Sequence, residues 1–207
     1  LVRLCTRSIY HQIASATSWY KPLPLSSKAA EDLEFWLRNI TRVNGFSFKP
    51  YPTTTQMVFS DASGSGYGGY TVERLQTLIC SGQFTALEAR QSSTFRELLA
   101  VKLILKSFGH TLANEAVQIN VDNLGASRIL QIGSSKNHLQ SLAIDIFRYC
   151  LHHNIKLMPE WIPREQNYVA DLYSKVRDTD DWAINQDCFD YISGMWGPFS
   201  VDRFASD

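Results

Sequence analysis

The stretch QMVFSDASGSGYGGYTV, residues 56–72, joins a short apolar run to a second run through a turn rich in glycine and serine. Residues 56–60 and 67–72 carry the β-branched and aromatic side chains that favour strands, and residues 77–84 form a third run of this kind. Three closely spaced strands predict an antiparallel meander.

Beyond residue 84 the pattern changes to an alternation of helices and strands. We predict helices at 94–108, 124–131, 137–153 and 167–176, and strands at 116–121 and 155–162. A meander followed by β-α-β units predicts an α/β fold with a mixed sheet and helices on its faces.

The flanks of this pattern differ from its centre. Two helical segments precede a proline-rich break near residue 50, and an aromatic-rich tail without long periodicity follows residue 177. We therefore expect a helical lead-in at 1–52, a globular domain at 53–177 and a C-terminal appendage at 178–207.

Composition restricts the class of protein. The 207 residues are 44% hydrophobic, which suffices for a packed core, and 20 basic residues balance 20 acidic ones. Global charge therefore gives no sign of a polyanionic partner. The four cysteines show no metal-site spacing, and no run reaches the roughly 18 apolar residues of a membrane span. We expect an intracellular protein with no membrane partner, and the choice between cytoplasm and nucleus stays open.

The glycines Gly64, Gly66 and Gly69 match the dinucleotide-binding pattern G-x-G-x-x-G. That loop requires a helix that begins at its last glycine, because the helix N-terminus binds the pyrophosphate. Residues 67–72 favour a strand instead, and Glu88 is the only acid near the expected distance of about 20 residues. We therefore interpret the glycines as part of a tight turn and a strand.

Two acidic residues fall where the pattern predicts burial. Asp61 shares one face of the first strand with Met57 and Phe59, so we expect it beside buried apolar neighbours. Glu97 lies on the predicted helix stripe that also carries residues 101, 104 and 108. A buried carboxylate is costly unless it is paired, protonated or bound to a metal.

Two further acids lie at the ends of elements. Asp122 follows the apolar strand at 116–121, and Asp171 lies near the start of the last predicted helix. Either aspartate alone would more often be a helix cap, and Glu97 could pair with a basic residue. Four carboxylates around one end of a sheet, however, favour hard cations such as Mg²⁺ or Mn²⁺ over zinc.

Four motifs in this order resemble the ribonuclease H domain of retroelement reverse transcriptases, especially those of gypsy-like and DIRS-like tyrosine-recombinase elements. They are FSDASGSGYGGY (59–70), FRELLAV (95–101), VDNLGA (121–126) and IPREQNYVADLYSK (162–175). The resemblance covers about residues 54–177. It implies a ribonuclease H-like fold whose five-stranded mixed sheet has its first three strands antiparallel.

The resemblance also implies a function and a site. Enzymes of this family cleave the RNA strand of RNA/DNA hybrids with two Mg²⁺ ions, for which Mn²⁺ can substitute. Their catalytic and metal-binding set falls on Asp61, Glu97, Asp122 and Asp171. The implied partners are the hybrid, a polymerase domain of the same polyprotein, and proteins that contact the two flanks.

Substrate contacts and one departure follow from the same comparison. Hybrid contacts would come from the glycine-rich turn and nearby polar side chains, namely Ser63, Gly64, Gln91, Asn123 and Arg164. Many relatives carry a histidine in the loop before the last helix, whereas this loop reads IPREQNYV. Arg164, Glu165 and Tyr168 are the local candidates to replace it.

Two other functions stay open at this point. The chain could be a non-catalytic scaffold or protein-interaction module of the same fold, derived from a retroelement. It could also be an integrase-like nuclease, although Glu97 between the first two aspartates and the N-x-x-A-D context at 167–171 fit ribonuclease H better.

Overall fold

The computed structural model describes residues 2–43, 54–72, 77–176 and 186–197. Five strands form one sheet: β1 (Gln56–Ala62), β2 (Gly66–Val72), β3 (Ile79–Gln83), β4 (Ala116–Val121) and β5 (Lys156–Trp161). The spatial order is β3-β2-β1-β4-β5. Strands β1, β2 and β3 pair antiparallel, whereas β4 pairs parallel with both β1 and β5. This topology confirms the predicted ribonuclease H-like sheet.

The helices described are α1 (Val2–Cys5), α2 (Arg7–Ser15), α3 (Ser27–Val43), α4 (Ala86–Ala89), α5 (Ser93–Ser107), α6 (Gly109–Leu112), α7 (Leu124–Ile132), α8 (Asn137–His152), α9 (Tyr168–Ser174) and α10 (Gln186–Trp196). A 3₁₀ turn, Arg164–Gln166, precedes α9. Within the described ranges, none of these helices combines the length and the apolar character that crossing a membrane requires. The predicted segments around Pro50 and Pro52, and the tail beyond residue 197, lie outside the described residues.

Helix α5 packs against the sheet and carries Glu97 into the core. Val101 and Ile104 are fully buried, Phe108 is nearly so, and Glu97 shares their stripe with only 5% of its surface exposed. The predicted helical stripe is therefore confirmed. Because the apolar members of the stripe fix the rotation of α5, the glutamate is buried together with them.

Strand β1 differs from its prediction in two respects. It extends through Ala62, so Asp61 lies inside the strand rather than just beyond it. Met57 is 37% exposed, and Phe59 is half-buried against Tyr70, with ring centroids 4.8 Å apart. The expectation of buried apolar neighbours on the Asp61 face was therefore wrong for Met57, which lies near the start of the strand.

The glycines belong to the hairpin, and no nucleotide-binding loop is formed. Gly66 and Gly69 lie within β2, so no helix begins where the dinucleotide pattern requires one. Gly68 pairs with Asp61 across the β1–β2 ladder. A Cβ at Gly68 would overlap the backbone of α9 at Tyr173 and Ser174. The absence of a side chain at this position allows α9 to approach the sheet closely.

The lead-in helices pack on the outer face of α8. Leu4, Cys5 and Ala143 form a second small core, to which Phe35 and Trp36 of α3 add partly buried rings. The Trp36 indole nitrogen donates a hydrogen bond to the Cys5 carbonyl oxygen at 3.0 Å. The chain forms two compact units, Leu1–Val176 and Arg177–Asp207, and α10 belongs to the second.

Asp32 of α3 caps the start of α2. Its carboxylate accepts a hydrogen bond from the Ser8 backbone amide at 3.0 Å, while Thr6, at the N-cap position, makes no side-chain capping bond. We expect Asp32→Ala to lower the free energy of unfolding by about 1 kcal/mol, because it leaves a helix-end amide without its partner. Urea denaturation would measure this loss. Asp32→Asn retains an acceptor and should recover most of it, and Glu31→Ala, at the exposed neighbour, is the control. Equal losses in all three variants would contradict the capping role.

Candidate metal centre

Three elements bring three carboxylates together at one end of the sheet. Strands β1 and β4 run parallel with Ser60 opposite Val121, so Asp61 and Asp122 are the next residues on adjacent strands. Helix α5 packs against β1 and adds Glu97. Each of the three acids offers an oxygen that lies within 4.8 Å of the other two.

Burial makes this cluster electrostatically costly without a cation. Asp61 is 4% exposed and Glu97 5%, and Glu97 Oε2 is buried without a hydrogen-bond partner. Desolvation, followed by the charges of Asp61 and Asp122, raises the pKa of Glu97 to about 9. Burial also raises the pKa of Asp61 and of Asp122 above their usual range. Three ionised carboxylates can share this space when a cation neutralises them, so the set fits a hard divalent cation.

The buried amide of Asn167 and the half-exposed indole of Trp161 hold the backbone around the cluster in place. Asn167, which is fully buried, donates from Nδ2 to the Ser60 carbonyl oxygen at 2.9 Å and so ties the start of α9 to β1. The Trp161 indole donates to the Asp122 carbonyl oxygen at 3.0 Å. Sequence reasoning missed both residues. The signal for Asn167 was its place in the N-x-x-A-D motif, whereas nothing in the sequence pairs Trp161 with Asp122.

Asp171 lies beside the cluster but is engaged elsewhere. One oxygen accepts a hydrogen bond from Arg164 Nη2 at 3.1 Å, and the other is paired with Lys175 Nζ. These partners, Lys175 first, lower the pKa of Asp171. The Asp171 backbone amide donates to the carbonyl oxygen of Asn167, which is itself tied to Ser60 beside Asp61, and after burial the charge of Asp171 contributes to the raised pKa of Asp61 and of Asp122. The structure therefore brings together three of the four predicted acids, and Asp171 forms ion pairs next to them.

Two of the predicted substrate-contacting residues, Ser63 and Asn123, make hydrogen bonds that fix the backbone around the site. The Ser63 hydroxyl donates to the Ser174 carbonyl oxygen at 2.7 Å and accepts from the Gly66 amide at 2.9 Å, so it joins the hairpin turn to α9. Asn123 Oδ1 accepts from the Ala126 amide at 2.9 Å and caps α7.

The other three predicted contacts are accessible. Gly64 lies exposed in the β1–β2 turn, Gln91 lies exposed just before α5, and the Arg164 side chain is 73% exposed. Lys175 was not among the predicted site residues. Its spacing of four residues from Asp171 on a helix was the available signal, because side chains at this spacing are neighbours.

The chain is similar to solved structures of ribonuclease H domains. LC11-RNase H1 in complex with an RNA/DNA hybrid is 20% identical, and the match covers 57% of this chain and 93% of that one with a TM-score of 0.48. RNase H1 of the halophilic archaeon Halobacterium salinarum NRC-1 is 13% identical, with 57% and 92% covered and a TM-score of 0.48.

A viral reverse transcriptase is similar over a longer part of the chain. The foamy viral protease-reverse transcriptase in complex with an RNA/DNA hybrid is 10% identical, with 87% of this chain and 23% of that chain covered and a TM-score of 0.41. No family model and no curated protein matches the chain.

Proposed function

We propose that the chain hydrolyses the RNA strand of RNA/DNA hybrids with bound Mg²⁺, which Mn²⁺ can replace. The observation that carries the proposal is the buried cluster of Asp61, Glu97 and Asp122, whose carboxylate oxygens lie within 4.8 Å of one another. The unpartnered Glu97 Oε2 adds support, because a buried carboxylate without a hydrogen-bond donor would be stabilised by a bound cation.

Each acid has a proposed role. Asp61, Glu97 and Asp122 would hold one ion, and Asp61 together with Asp171 would hold a second, so that Asp61 would serve both. Divalent ions in such a site activate a water molecule and stabilise the leaving 3′-oxygen. The protein's own contribution is to hold the oxygens on rigid strands and a buried helix, so that little reorganisation is needed when the ions and the substrate bind.

The hybrid as substrate rests on the four motifs at 59–70, 95–101, 121–126 and 162–175, and on the accessible residues around the cluster. Gly64, Gln91 and Arg164 are proposed to contact the hybrid across its minor groove, where 2′-hydroxyl groups distinguish RNA from DNA. Ser63 and Asn123 support these contacts by fixing the β1–β2 turn and the start of α7.

The context of the domain is part of the same proposal. We infer a retroelement polyprotein of the gypsy-like or DIRS-like kind, in which a polymerase domain provides much of the grip on nucleic acid. The division into 1–52, 53–177 and 178–207, with protein contacts through both flanks, belongs to this proposal. Balanced charge over the whole chain supports weak hybrid affinity in isolation.

The decisive experiment is cleavage of an RNA/DNA hybrid labelled on either strand, with Mg²⁺, Mn²⁺ or a chelator. We expect cuts in the RNA strand alone and only with a divalent ion. Asp122→Asn should lower the rate by about a thousandfold or more, because the amide is a poor cation ligand. Asp145→Asn, at an exposed acid of α8 paired with Lys102, is the matched control and should leave the rate unchanged.

Three outcomes separate the alternatives. Full activity in Asp122→Asn would reject the site. No cleavage by the natural chain together with no effect of Mg²⁺ on its melting temperature would favour the non-catalytic module. Cleavage of duplex DNA in preference to the hybrid would favour an integrase-like nuclease.

A further inference from the structure

The ion pairs of Asp171 are unusual in using both carboxylate oxygens. Arg164 reaches one oxygen from the 3₁₀ turn, and Lys175 reaches the other from the next turn of α9. The Asp171 side chain is 17% exposed, whereas those of Arg164 and Lys175 are 73% and 54% exposed. Two exposed cationic side chains thus pair with a carboxylate that borders the three-acid cluster.

We propose that Arg164 and Lys175 form a clamp that withholds Asp171 from metal until nucleic acid binds. In the free protein the cluster of Asp61, Glu97 and Asp122 takes one divalent ion. A phosphate of the bound hybrid then draws Arg164 away, and Asp171 becomes available to a second ion. This inference rests on the proposed function and adds a positioning role for Arg164 and Lys175.

Competition between cations is the physical basis of the clamp. An ion that binds Asp171 must displace at least one of two positive groups, or bind beside both of them against their repulsion. Among the described residues, by contrast, no cation forms an ion pair with Asp61, Glu97 or Asp122: Glu97 Oε2 has no donor, and Arg164 acts on Asp61 and Asp122 only through its charge. The two parts of the site should therefore differ strongly in their affinity for divalent ions.

The two cations are not equivalent. Lys175 and Asp171 lie four residues apart on one helix, so their pairing is local and survives small movements. Arg164 reaches from outside the helix, is the more exposed of the two, and has a planar fork that matches phosphate. Arg164 is therefore the partner that substrate can remove, and Lys175 keeps the carboxylate in place.

The test is a titration of the whole chain with Mn²⁺ alone, without nucleic acid, in which electron paramagnetic resonance counts the free ion. We expect one bound ion for the natural chain. Over the same range of Mn²⁺ concentration the double variant Arg164→Gln/Lys175→Gln should bind two ions, because the affinity of Asp171 for the second ion should rise about tenfold once both cations are gone. Arg164→Lys retains the positive charge, so this variant should bind one Mn²⁺ ion, as the natural chain does.

A matched control removes charge without touching Asp171. Lys102→Gln breaks the pair that Lys102 forms with Asp145 and should leave the titration unchanged. Because the substituted side chains are largely exposed, folding of each variant is checked by its melting temperature; if the double variant fails to fold, Arg164→Gln alone gives the comparison.

The outcomes distinguish the clamp from the proposed function. Two ions bound by the natural chain, or identical titrations for natural chain and variant, would overturn the clamp and leave the proposed nuclease intact. No bound Mn²⁺ in any variant would overturn both.

Discussion

Glu97→Gln is expected to stabilise the metal-free protein while it abolishes hybrid cleavage. The natural glutamate is 95% buried among two other acids, with one oxygen unpartnered. Glutamine has nearly the same shape and carries no charge, so it removes the desolvation and repulsion that ionised Glu97 suffers. The same change removes a proposed cation ligand, so stability and activity should move in opposite directions.

The gain should depend on pH with a definite sign. The pKa of Glu97 is raised to about 9 in the folded protein, against about 4.3 in an unfolded chain. Between these values the folded state binds a proton that the unfolded state lacks, so the free energy of unfolding falls as pH rises. The variant has no such proton, so its advantage should be absent near pH 4 and grow towards pH 9.

Thermal unfolding in the presence of a chelator measures the effect. At pH 8 we expect Glu97→Gln to gain at least about 2 kcal/mol, or roughly 4–8 °C in a chain of this size. Glu160→Gln, at an exposed acid of β5, should stay within about 0.5 kcal/mol of the natural chain. Added Mg²⁺ should stabilise the natural chain more than the variant. If the variant were less stable than the natural chain at pH 8, the Glu97 carboxylate would have to be stabilised by a partner in the folded protein rather than destabilised by burial and by repulsion from the other two acids.

The sequence predicted the sheet and three members of the acid cluster because both depend on local periodicity. Strand-forming side chains predict a strand at 56–60, which the structure extends to Ala62, and a stripe of 3.6-residue period buries Glu97 with Ile104. Asp122 follows from the end of a uniformly apolar strand. Because β1 and β4 are parallel neighbours, Asp61 and Asp122 then lie at the same end of the sheet.

Contacts between distant elements could not be predicted in this way. The Arg164–Asp171 ion pair depends on how the loop before α9 folds. The packing of α1 and α3 against α8 depends on which apolar faces of these helices meet. The exposure of Met57 has the same origin, since periodicity assigns a side chain to one face of a strand but does not say which distant elements cover that face.

Gly68→Ala, a substitution within β2, should disrupt both the fold and the site. A Cβ at position 68 would lie 2.6 Å from the Tyr173 Cβ and overlap the Ser174 backbone nitrogen. Backbone atoms cannot rotate away as a flexible side chain can, so either β2 or α9 must move. We expect a loss of about 2–3 kcal/mol, or roughly 4–12 °C in melting temperature.

The matched control lies in the same hairpin. A Cβ at Gly64 would meet only Arg96 Nη1, at an ordinary contact distance of 3.6 Å, so Gly64→Ala should unfold like the natural chain. Equal stability of Gly68→Ala and Gly64→Ala would mean that the backbone of α9 does not pack directly against Gly68 of β2. Since α9 carries Asp171, a displaced but folded Gly68→Ala protein should also lose hybrid cleavage while its cluster of Asp61, Glu97 and Asp122 still binds one Mn²⁺. Loss of cleavage with Mn²⁺ binding retained would show that the packing of α9 against β2 is required for cleavage in addition to the three-acid cluster.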